Sequence, residues 1–180
     1  MIEANYHTGR LSGEITESVK TLAELKNVFA NESARAALDQ SITAYSVQMH
    51  AVVPEGTPGG LFFGTSFVQP GVIDGEYFMT RGHFHAQRDR AEYYWCYAGQ
   101  GVLLLMDGAR RWSLEVLKPG SVHYIAGHVA HRLVNTGRDV LAVGACWPSD
   151  AGHDYATISE QGFSVRVVQG PNGPEFRDQP

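Results

Sequence analysis

Residues 80–107 read TRGHFHAQRDRAEYYWCYAGQGVLLLMD and contain three potential metal ligands, His83, His85 and Glu92, within ten residues. The two histidines are two positions apart, so their side chains lie on the same face wherever this segment is extended. The polar stretch 86–90 separates them from the acidic residue and is typical of a turn. We therefore predict two short strands that bring these three side chains to one point.

The run that follows this turn alternates between two faces. Glu92, Tyr94 and Cys96 share one face, whereas Tyr93 and Trp95 point to the other. Aromatic residues in such a run are most simply explained by packing within a sheet. Tyr94 is the exception because it shares the face of the acidic residue, and we predict that it contacts a substrate bound there.

A fourth potential ligand, His131, lies further along the chain in the sequence VAHRLVN. Three imidazoles and one carboxylate suit a first-row divalent metal, with positions left open for water or substrate. These residue types are compatible with Fe²⁺, Mn²⁺, Ni²⁺ and Zn²⁺ and do not select one of these ions. Histidines without an acidic partner at matching spacing are interpreted as structural or exposed residues; these are His7, His50, His123 and His128.

Three further residues are candidates for substrate contacts. Thr80 and Gly82 flank the first histidine of the motif, where a hydroxyl and an approachable backbone amide can bind an anion without a lysine. A simple tight turn before that histidine is the alternative. His153 lies in the sequence AGHDY directly after a predicted strand, and polar clusters at the mouth of a barrel are typical substrate contacts.

Composition and charge narrow the classes of function. The chain has 180 residues, of which 43% are hydrophobic and 18% charged, as is typical of a single globular domain. Its formal net charge of −5, without a basic stripe, argues against nucleic-acid binding. The sequence shows neither a signal peptide nor a long apolar run, and its two cysteines form no CxxC pair. We therefore expect a cytoplasmic protein with no nucleic-acid or membrane partner.

The spacing of turns and apolar runs predicts the fold. Residues 1–40 are predicted to form an arm and helix that pack on a barrel, with a capping box at Thr21 starting a helix to about residue 30 and a second helical piece at 33–40. Residues 171–180 are expected to be a loose tail. Between them, at 41–170, the predicted strands are 43–53, 61–68, 76–80, 91–98, 102–106, 111–117, 121–125, 130–135, 140–147 and 163–169.

Many short strands without helices between them favour an antiparallel arrangement, because parallel strands need long crossover connections. The predicted fold class is therefore mainly β: a single-domain cupin, which is a double-stranded β-helix or jelly-roll barrel, with a short N-terminal helical segment.

Three segments, GHFHAQRDRAEYYWCYAGQG, VAHRLVNTG and PSDAGHDYATISEQGF, resemble the cupin-type phosphoglucose isomerases, also called glucose-6-phosphate isomerases and best known from archaea. The resemblance extends from about residue 45 to residue 168. GHFH followed by an acidic residue is general to cupins, whereas HFHA-x-x-DRAE combined with AHR-x-VN-x-G and AGHDY-x-TI is more specific. The resemblance implies a homodimeric enzyme that interconverts glucose 6-phosphate and fructose 6-phosphate in glycolysis and gluconeogenesis. It also implies one divalent metal ion per subunit, with Fe²⁺ ahead of Zn²⁺, Mn²⁺ or Ni²⁺.

The resemblance also implies roles for individual residues. The metal ligands fall on His83, His85, Glu92 and His131. The implied substrate contacts are Tyr45, Ser66, Thr80, Gly82, Tyr94, His153 and Tyr155. The chain departs from the family pattern at residues 126–128, where a proline-rich turn is usual, and at Trp147, where a tyrosine is common. The second departure removes a hydroxyl, so it bears on sugar preference rather than on metal binding.

The predicted activity is a metal-dependent aldose–ketose isomerisation. Lewis-acid polarisation of the sugar carbonyl would come from the metal, and Glu92 is the candidate base that moves a proton between C1 and C2 through an enediol. A metal-assisted hydride shift is the competing mechanism. Two alternative functions use the same barrel: a dioxygenase with three histidines and one glutamate, and a sugar-binding cupin without catalytic activity.

Overall fold

The structure is a computed structural model that describes residues 1–179. In chain order its elements are β1 (Ile2–Ala4), β2 (Leu11–Gly13), β3 (Thr16–Thr21), a 3-10 helix (Leu22–Leu25), α1 (Glu32–Ala37), β4 (Thr43–Ala51), β5 (Leu61–Val68), β6 (Val72–Ile73), β7 (Glu76–Tyr77), β8 (Glu92–Ala98), β9 (Gly101–Asp107), β10 (Trp112–Leu117), β11 (Val122–Ile125), β12 (Val129–Asn135), β13 (Leu141–Pro148), α2 (Ala156–Gln161), β14 (Val165–Gly170) and β15 (Gly173–Asp178). Each predicted strand has a counterpart. The mainly β fold class is therefore confirmed.

The strands form antiparallel sheets around one interior. The largest sheet has the order β11-β8-β13-β5-β4-β3, and it is accompanied by sheets of order β10-β9-β12 and β15-β14-β7-β6 and by the pair β1-β2. All of these pairings are antiparallel, as in β8 with β11 and β9 with β12. Residues 43–148 contain no helix, so turns and loops connect the strands of the barrel, as antiparallel pairing allows.

The core lies between these sheets. One cluster of buried apolar side chains joins Val68 and Val143 from the six-stranded sheet, Leu103 and Leu133 from the three-stranded sheet, and Val167 from the four-stranded sheet. Burial of each such side chain stabilises the fold by about 1.5–3 kcal/mol. The sheets are therefore held face to face by one shared core.

A short extended segment brings the histidine motif against this barrel. Isolated bridges pair Met79 with Val134 and His83 with His131, so the chain before and within the motif runs antiparallel to β12. The backbone amide of His131 donates to the carbonyl of His83 at 3.0 Å. Because β8 begins only seven residues after His85, Glu92 returns to the same part of the interior.

The N-terminal arm is extended, as predicted, but it is more ordered than its sequence suggests. Strand β3 pairs with β4 and forms the edge of the six-stranded sheet. Upstream of it, Gly9 lies against the ring of Tyr97, and the amide of Leu11 donates to the side-chain oxygen of Gln48 at 2.9 Å. The arm therefore covers part of the outer face of the barrel. A domain boundary at residue 40 stays a prediction, although this sheet crosses it.

The predicted helix from Thr21 to about residue 30 is too long. The capping box is present, and the Thr21 amide donates to the Glu24 carboxylate at 3.1 Å, but only a 3-10 helix follows. The chain then leaves helical geometry, and Asn27 adopts a φ of 63°. The apolar residues expected to face the core are nevertheless buried: Leu22, Leu25, Val28 and Phe29.

The second helical prediction, 33–40, is correct in type, but the helix ends earlier than predicted. Helix α1 ends at Ala37, and Leu38 is exposed. Its buried residue is Arg35, whose guanidinium donates to the Leu22 carbonyl at 2.6 Å and pairs with Glu32 at 2.8 Å. Because its guanidinium is hydrogen-bonded in this way, Arg35 can be buried at a position where an apolar residue would be expected.

The prediction of a loose tail at residues 171–180 is wrong for most of its length. Strand β15 pairs with β14 from Gly173–Gly170 to Asp178–Val165, and Trp112 donates to the Asp178 carboxylate at 2.7 Å. Backbone pairing outweighs the Gly- and Pro-rich composition, because glycine also suits the tight turn that joins the two strands. Pro180 lies outside the described residues.

Candidate active site

Four potential metal ligands meet inside the barrel. One ligand atom from each of His83, His85, Glu92 and His131 lies within 4.8 Å of the others. His85 Nε2 is 3.3 Å and His131 Nε2 is 2.6 Å from the same carboxylate oxygen of Glu92. His83 is half-buried and the other three are buried. Three histidines and one glutamate thus form a cluster that can bind a metal.

The hydrogen bonding of these atoms tests whether they fit a metal. Glu92 Oε1 and His131 Nε2 lie only 2.6 Å apart, yet neither makes a hydrogen bond within the described chain. Buried polar atoms are nearly always satisfied in native structures, and unsatisfied ones that converge with imidazole and carboxylate donors are what a divalent cation requires. The residues fit such an ion.

The ring of His85 is held in one orientation from outside the cluster. Its Nδ1 lies 2.8 Å from the carbonyl oxygen of Arg90, which fixes Nδ1 as the donor and leaves Nε2 as the free electron pair. Arg90 is itself tied to Asp150 by two bonds of 2.9 and 2.7 Å. An ion pair at the barrel mouth therefore positions one ligand.

The predicted sugar-side residues stack beside the first histidine. The ring centroid of His83 is 4.4 Å from that of His153 and 5.4 Å from that of Tyr155. His153 and Tyr155 are stacked almost parallel at 5.5 Å. These three rings form one wall next to the ligand cluster.

A cavity of about 110 Å³ opens over the cluster, and it is lined by apolar side chains with a few polar groups, as is typical of small-molecule sites. Every site residue predicted from the sequence lines it: Tyr45, Ser66, Thr80, Gly82, His83, His85, Glu92, Tyr94, His131, His153 and Tyr155. Residues that the prediction did not include also line it, namely Val47, Gly64, Thr65, Leu133, Ala145 and Trp147. Leu133 shares the face of His131 on β12, so alternation along the strand could have found it.

Electrostatics inside the cavity are dominated by Glu92. Burial alone raises the pKa of its carboxyl, but the positive charge and hydrogen-bonding capacity of His131 and His85 outweigh burial and lower it to about 2. Burial raises the pKa of Tyr94 well above its usual value, and the neighbouring Glu92 carboxylate adds to this effect. Burial also lowers the pKa of His83 well below 6.5, helped by the charge of His131. The site therefore holds an anionic carboxylate, a neutral phenol and a neutral imidazole.

The remaining histidines lie outside the cluster. His7 and His128 are exposed, and His50 Nδ1 contacts the backbone carbonyl of Glu14 at 2.7 Å. His123 is buried, with its ring between Glu115 and Ser121. These positions agree with their interpretation as structural or surface residues.

Gly82 is the tightest backbone position of the cavity wall. Its φ is +73°, and an added Cβ would lie 2.6 Å from the ring of Phe163 and 3.1 Å from Arg132. Replacing Gly82 by alanine therefore strains both the backbone and the packing next to His83. We expect a loss of about 1–3 kcal/mol in the free energy of unfolding, measured by denaturant titration. The half-buried Gly75, with φ +81° and open space where a Cβ would lie, is the matched control; an equal loss at both sites would contradict the packing argument.

Comparisons with known proteins agree with this architecture. A solved structure of oxalate oxidase superposes on 64% of this chain and 56% of its own with a TM-score of 0.52 at 13% identity, which shows a shared fold alone. The described residues include no helix of the length and apolarity needed to cross a bilayer. Together with the sheet order and the interior ligands, the superposition defines the class of the protein. It is a cupin with a potential three-histidine, one-glutamate metal site.

Sequence comparison narrows this class to one family. The family model for glucose-6-phosphate isomerase matches residues 19–178. The glucose-6-phosphate isomerase of Pyrococcus horikoshii is 38% identical over 170 residues, 93% of this chain and 88% of that protein. The enzyme of Thermococcus litoralis is 34% identical over 179 residues, 99% and 94% of the two chains. The chain belongs to the glucose-6-phosphate isomerase family, so the resemblance seen in its motifs is confirmed.

Proposed function

We propose that this protein interconverts glucose 6-phosphate and fructose 6-phosphate with the help of one divalent metal ion. The observation that carries the proposal is the cavity, in which the metal-ligand cluster and the residues matching the family's substrate contacts line one space. Family membership supports the same activity. The direct experiment is a coupled assay in both directions on metal-reconstituted protein.

The chain's own residues suggest how the sugar is handled. A bound divalent metal would supply Lewis-acid polarisation of the carbonyl and would be held by His83, His85, Glu92 and His131. Tyr94, neutral and directly beside Glu92 in the cavity, is suited to donate a hydrogen bond to a sugar oxygen. The stacked rings of His153 and Tyr155 are suited to orient the open-chain sugar beside His83.

Glu92 is the proposed proton-transfer base. Its carboxylate is the buried anion closest to the ligand histidines and can take a proton from C2 of the aldose and return it to C1. Its low pKa of about 2 makes it a weak base in the resting site. Proton transfer therefore requires that substrate binding raise the basicity of this carboxylate, and a hydride shift is the alternative that avoids this requirement.

A phosphate subsite is proposed at the wall formed by Tyr45, Ser66, Thr80 and Gly82. The backbone amide of Leu133 donates to Thr80 Oγ1 at 3.1 Å, which leaves the Thr80 hydroxyl proton free to donate to an anion. All four residues line the cavity above the ligand cluster. Hydroxyl and amide donors of this kind bind phosphate oxygens without a lysine.

We expect selection of phosphorylated substrates as a consequence. Loss of two charge-assisted hydrogen bonds, each contributing about 1.5–3 kcal/mol, corresponds to a decrease of at least about 10²-fold in kcat/KM. The measurement compares glucose with glucose 6-phosphate in wild-type protein and in the variant Thr80→Val. The variant should lose rate with the phosphorylated sugar only; comparable kcat/KM values for both sugars in wild type would exclude the subsite.

We further propose Fe²⁺ as the resident ion. Three imidazoles with one carboxylate suit Fe²⁺ as well as Mn²⁺, Ni²⁺ and Zn²⁺, so the proposal depends on measurement. Elemental analysis of protein purified without oxygen should find iron at about one equivalent per chain. Zinc at that level, with full activity, would replace iron in the proposal.

A homodimer is proposed because the outer face of β8 and β11 carries exposed apolar side chains. Tyr93 and Tyr124 are 52% and 55% exposed with ring centroids 5.2 Å apart, and Val122 beside them is 66% exposed. Contiguous exposed patches of this kind are typical of interfaces. Sedimentation equilibrium should give twice the chain mass for wild type and the single mass for Tyr124→Lys; a monomeric wild type would exclude the dimer.

A cytoplasmic setting without nucleic-acid or membrane partners is proposed on composition and substrate class. The net charge is −5, and sugar phosphates are intracellular metabolites by virtue of their charge.

Oxygen uptake during turnover would instead favour the dioxygenase alternative. Binding of sugar phosphate without conversion would favour the non-catalytic alternative.

A further inference from the structure

A second cavity lies behind the active-site wall and is lined by cations. It has a volume of about 270 Å³ and is bordered by Lys26, Arg81, Arg132 and Arg166. It shares no lining residue with the active-site cavity. The two cavities meet at residues 80–82, where Thr80 and Gly82 line one cavity and Arg81 lines the other. The Arg81 guanidinium also lies 5.5 Å from the ring centroid of Tyr155, which belongs to the active-site cavity.

The charges around this second cavity are not balanced by the described chain. Arg132 is only 3% exposed and forms no ion pair within residues 1–179. Glu76, the carboxylate that acts on Arg132 electrostatically, is already paired with Arg166 at 3.1 Å and accepts from the Ala30 amide at 2.7 Å. Glu32, which interacts electrostatically with Lys26, is likewise paired with Arg35 at 2.8 Å. The four cationic side chains therefore outnumber the carboxylates near them, and both carboxylates are already engaged.

Two guanidinium groups also keep hydrogen-bonding capacity. Arg166 Nη1 donates to Glu76 and to the Val28 carbonyl, but its buried Nε has no partner within the described residues. Arg132 donates through Nε and Nη2 to one acceptor, the carbonyl oxygen of Arg81. A buried guanidinium without a counter-ion is unfavourable. These two guanidinium groups therefore favour the binding of an anion in this cavity.

We propose that this second cavity binds a phosphate-bearing anion at a site separate from the substrate site. Guanidinium forks match the geometry of phosphate oxygens, and an excess of several positive charges favours a dianion over a single carboxylate. The hydroxyl of Ser159 and the side-chain amide of Asn27, both of which line the cavity, provide further hydrogen-bond donors. The proposal does not depend on isomerase activity.

An anion bound at this site would also affect the metal ligands, because the arginines that bind it are close to two of those ligands along the backbone. Arg132 follows His131, and Arg81 lies two residues before His83. The two arginines are joined by the bonds from the Arg132 guanidinium to the Arg81 carbonyl. An anion that holds both side chains stabilises the segment that carries two of the ligands.

Equilibrium dialysis with inorganic phosphate tests the proposal, at constant ionic strength set with sodium chloride. Wild-type protein should bind about one phosphate per chain in this cavity, in addition to any phosphate held in the substrate site. Ser159→Asp, at an exposed position on the rim, places a carboxylate in the site and should abolish this binding. Gln161→Glu adds the same charge to the same helix outside the cavity and should bind like wild type.

Lys26→Ala gives a second measurement that does not rely on an added charge. Lys26 is exposed, so the variant should fold, and it should weaken phosphate binding by about tenfold, the effect of one charge-assisted hydrogen bond. Lys118→Ala, an exposed lysine away from the cavity, is its control. The proposal is overturned if wild type binds no phosphate. It is also overturned if the Ser159→Asp and Lys26→Ala variants bind as tightly as wild type. Neither result bears on isomerisation, because the measured quantity is bound phosphate and not conversion of substrate.

Discussion

Replacing His131 by alanine is expected to give a folded protein that retains no tightly bound metal and shows no measurable isomerisation. His131 is 2% exposed, and its Nε2 faces the same carboxylate oxygen as His85 Nε2. Loss of a residue that only orients a ligand already costs 10- to 100-fold in metal affinity. Removal of the ligand itself should therefore cost more than about 100-fold. His85→Ala should behave in the same way.

Elemental analysis after dialysis measures this loss, with thermal unfolding as the check that the variant is folded. His7→Ala is the matched control, because it removes an exposed imidazole outside the cluster and should keep both metal and activity. A His131 variant that kept a full equivalent of metal would contradict the proposed ligand set.

Replacing Glu92 by glutamine is expected to lower kcat by about 10²- to 10⁴-fold, the usual contribution of a positioned general base. Glutamine keeps an oxygen at the position between His85 and His131 but cannot accept the proton. Much of the metal should therefore remain, which separates this variant from the histidine variants. Elemental analysis and kcat on the same sample give both quantities.

Isotope transfer distinguishes the two mechanisms directly. A carboxylate that shuttles the proton should release part of the deuterium of C2-labelled glucose 6-phosphate into water during turnover. A hydride shift carries the label wholly to C1. Complete retention at C1, together with near wild-type turnover by the glutamine variant, would show that Glu92 acts as a ligand and not as a base.

Alternation along strands predicted most of the site because it reflects local geometry. Glu92, Tyr94 and Cys96 are buried and Tyr93 is exposed, as the two-residue repeat requires. The convergence of His131 on the other ligands depends on a backbone bridge to His83, which no local pattern encodes. The sequence thus indicated which side chains face inward, and the fold determined that they meet.

The features missed by sequence reasoning depend on contacts distant along the chain. Strand β15 and the N-terminal strand β3 are built from largely polar sequence and are stabilised by pairing with β14 and β4. Helix α2 lacks an apolar repeat, and of its residues only Ile158 is buried. Arg132 was overlooked because a charged residue in a strand is expected to be exposed, whereas here it packs over the ring of Phe163 at 4.4 Å.

Titration of metal-free protein with Fe²⁺, while the conversion of glucose 6-phosphate to fructose 6-phosphate is followed, tests the proposed function most directly. Because the cluster provides one set of three imidazoles and one carboxylate, activity should rise from near zero and reach its plateau at one equivalent of metal per chain. The His131→Ala variant should stay inactive over the same range. Full turnover by metal-free protein, or no conversion of glucose 6-phosphate at any level of metal, would contradict the proposed function.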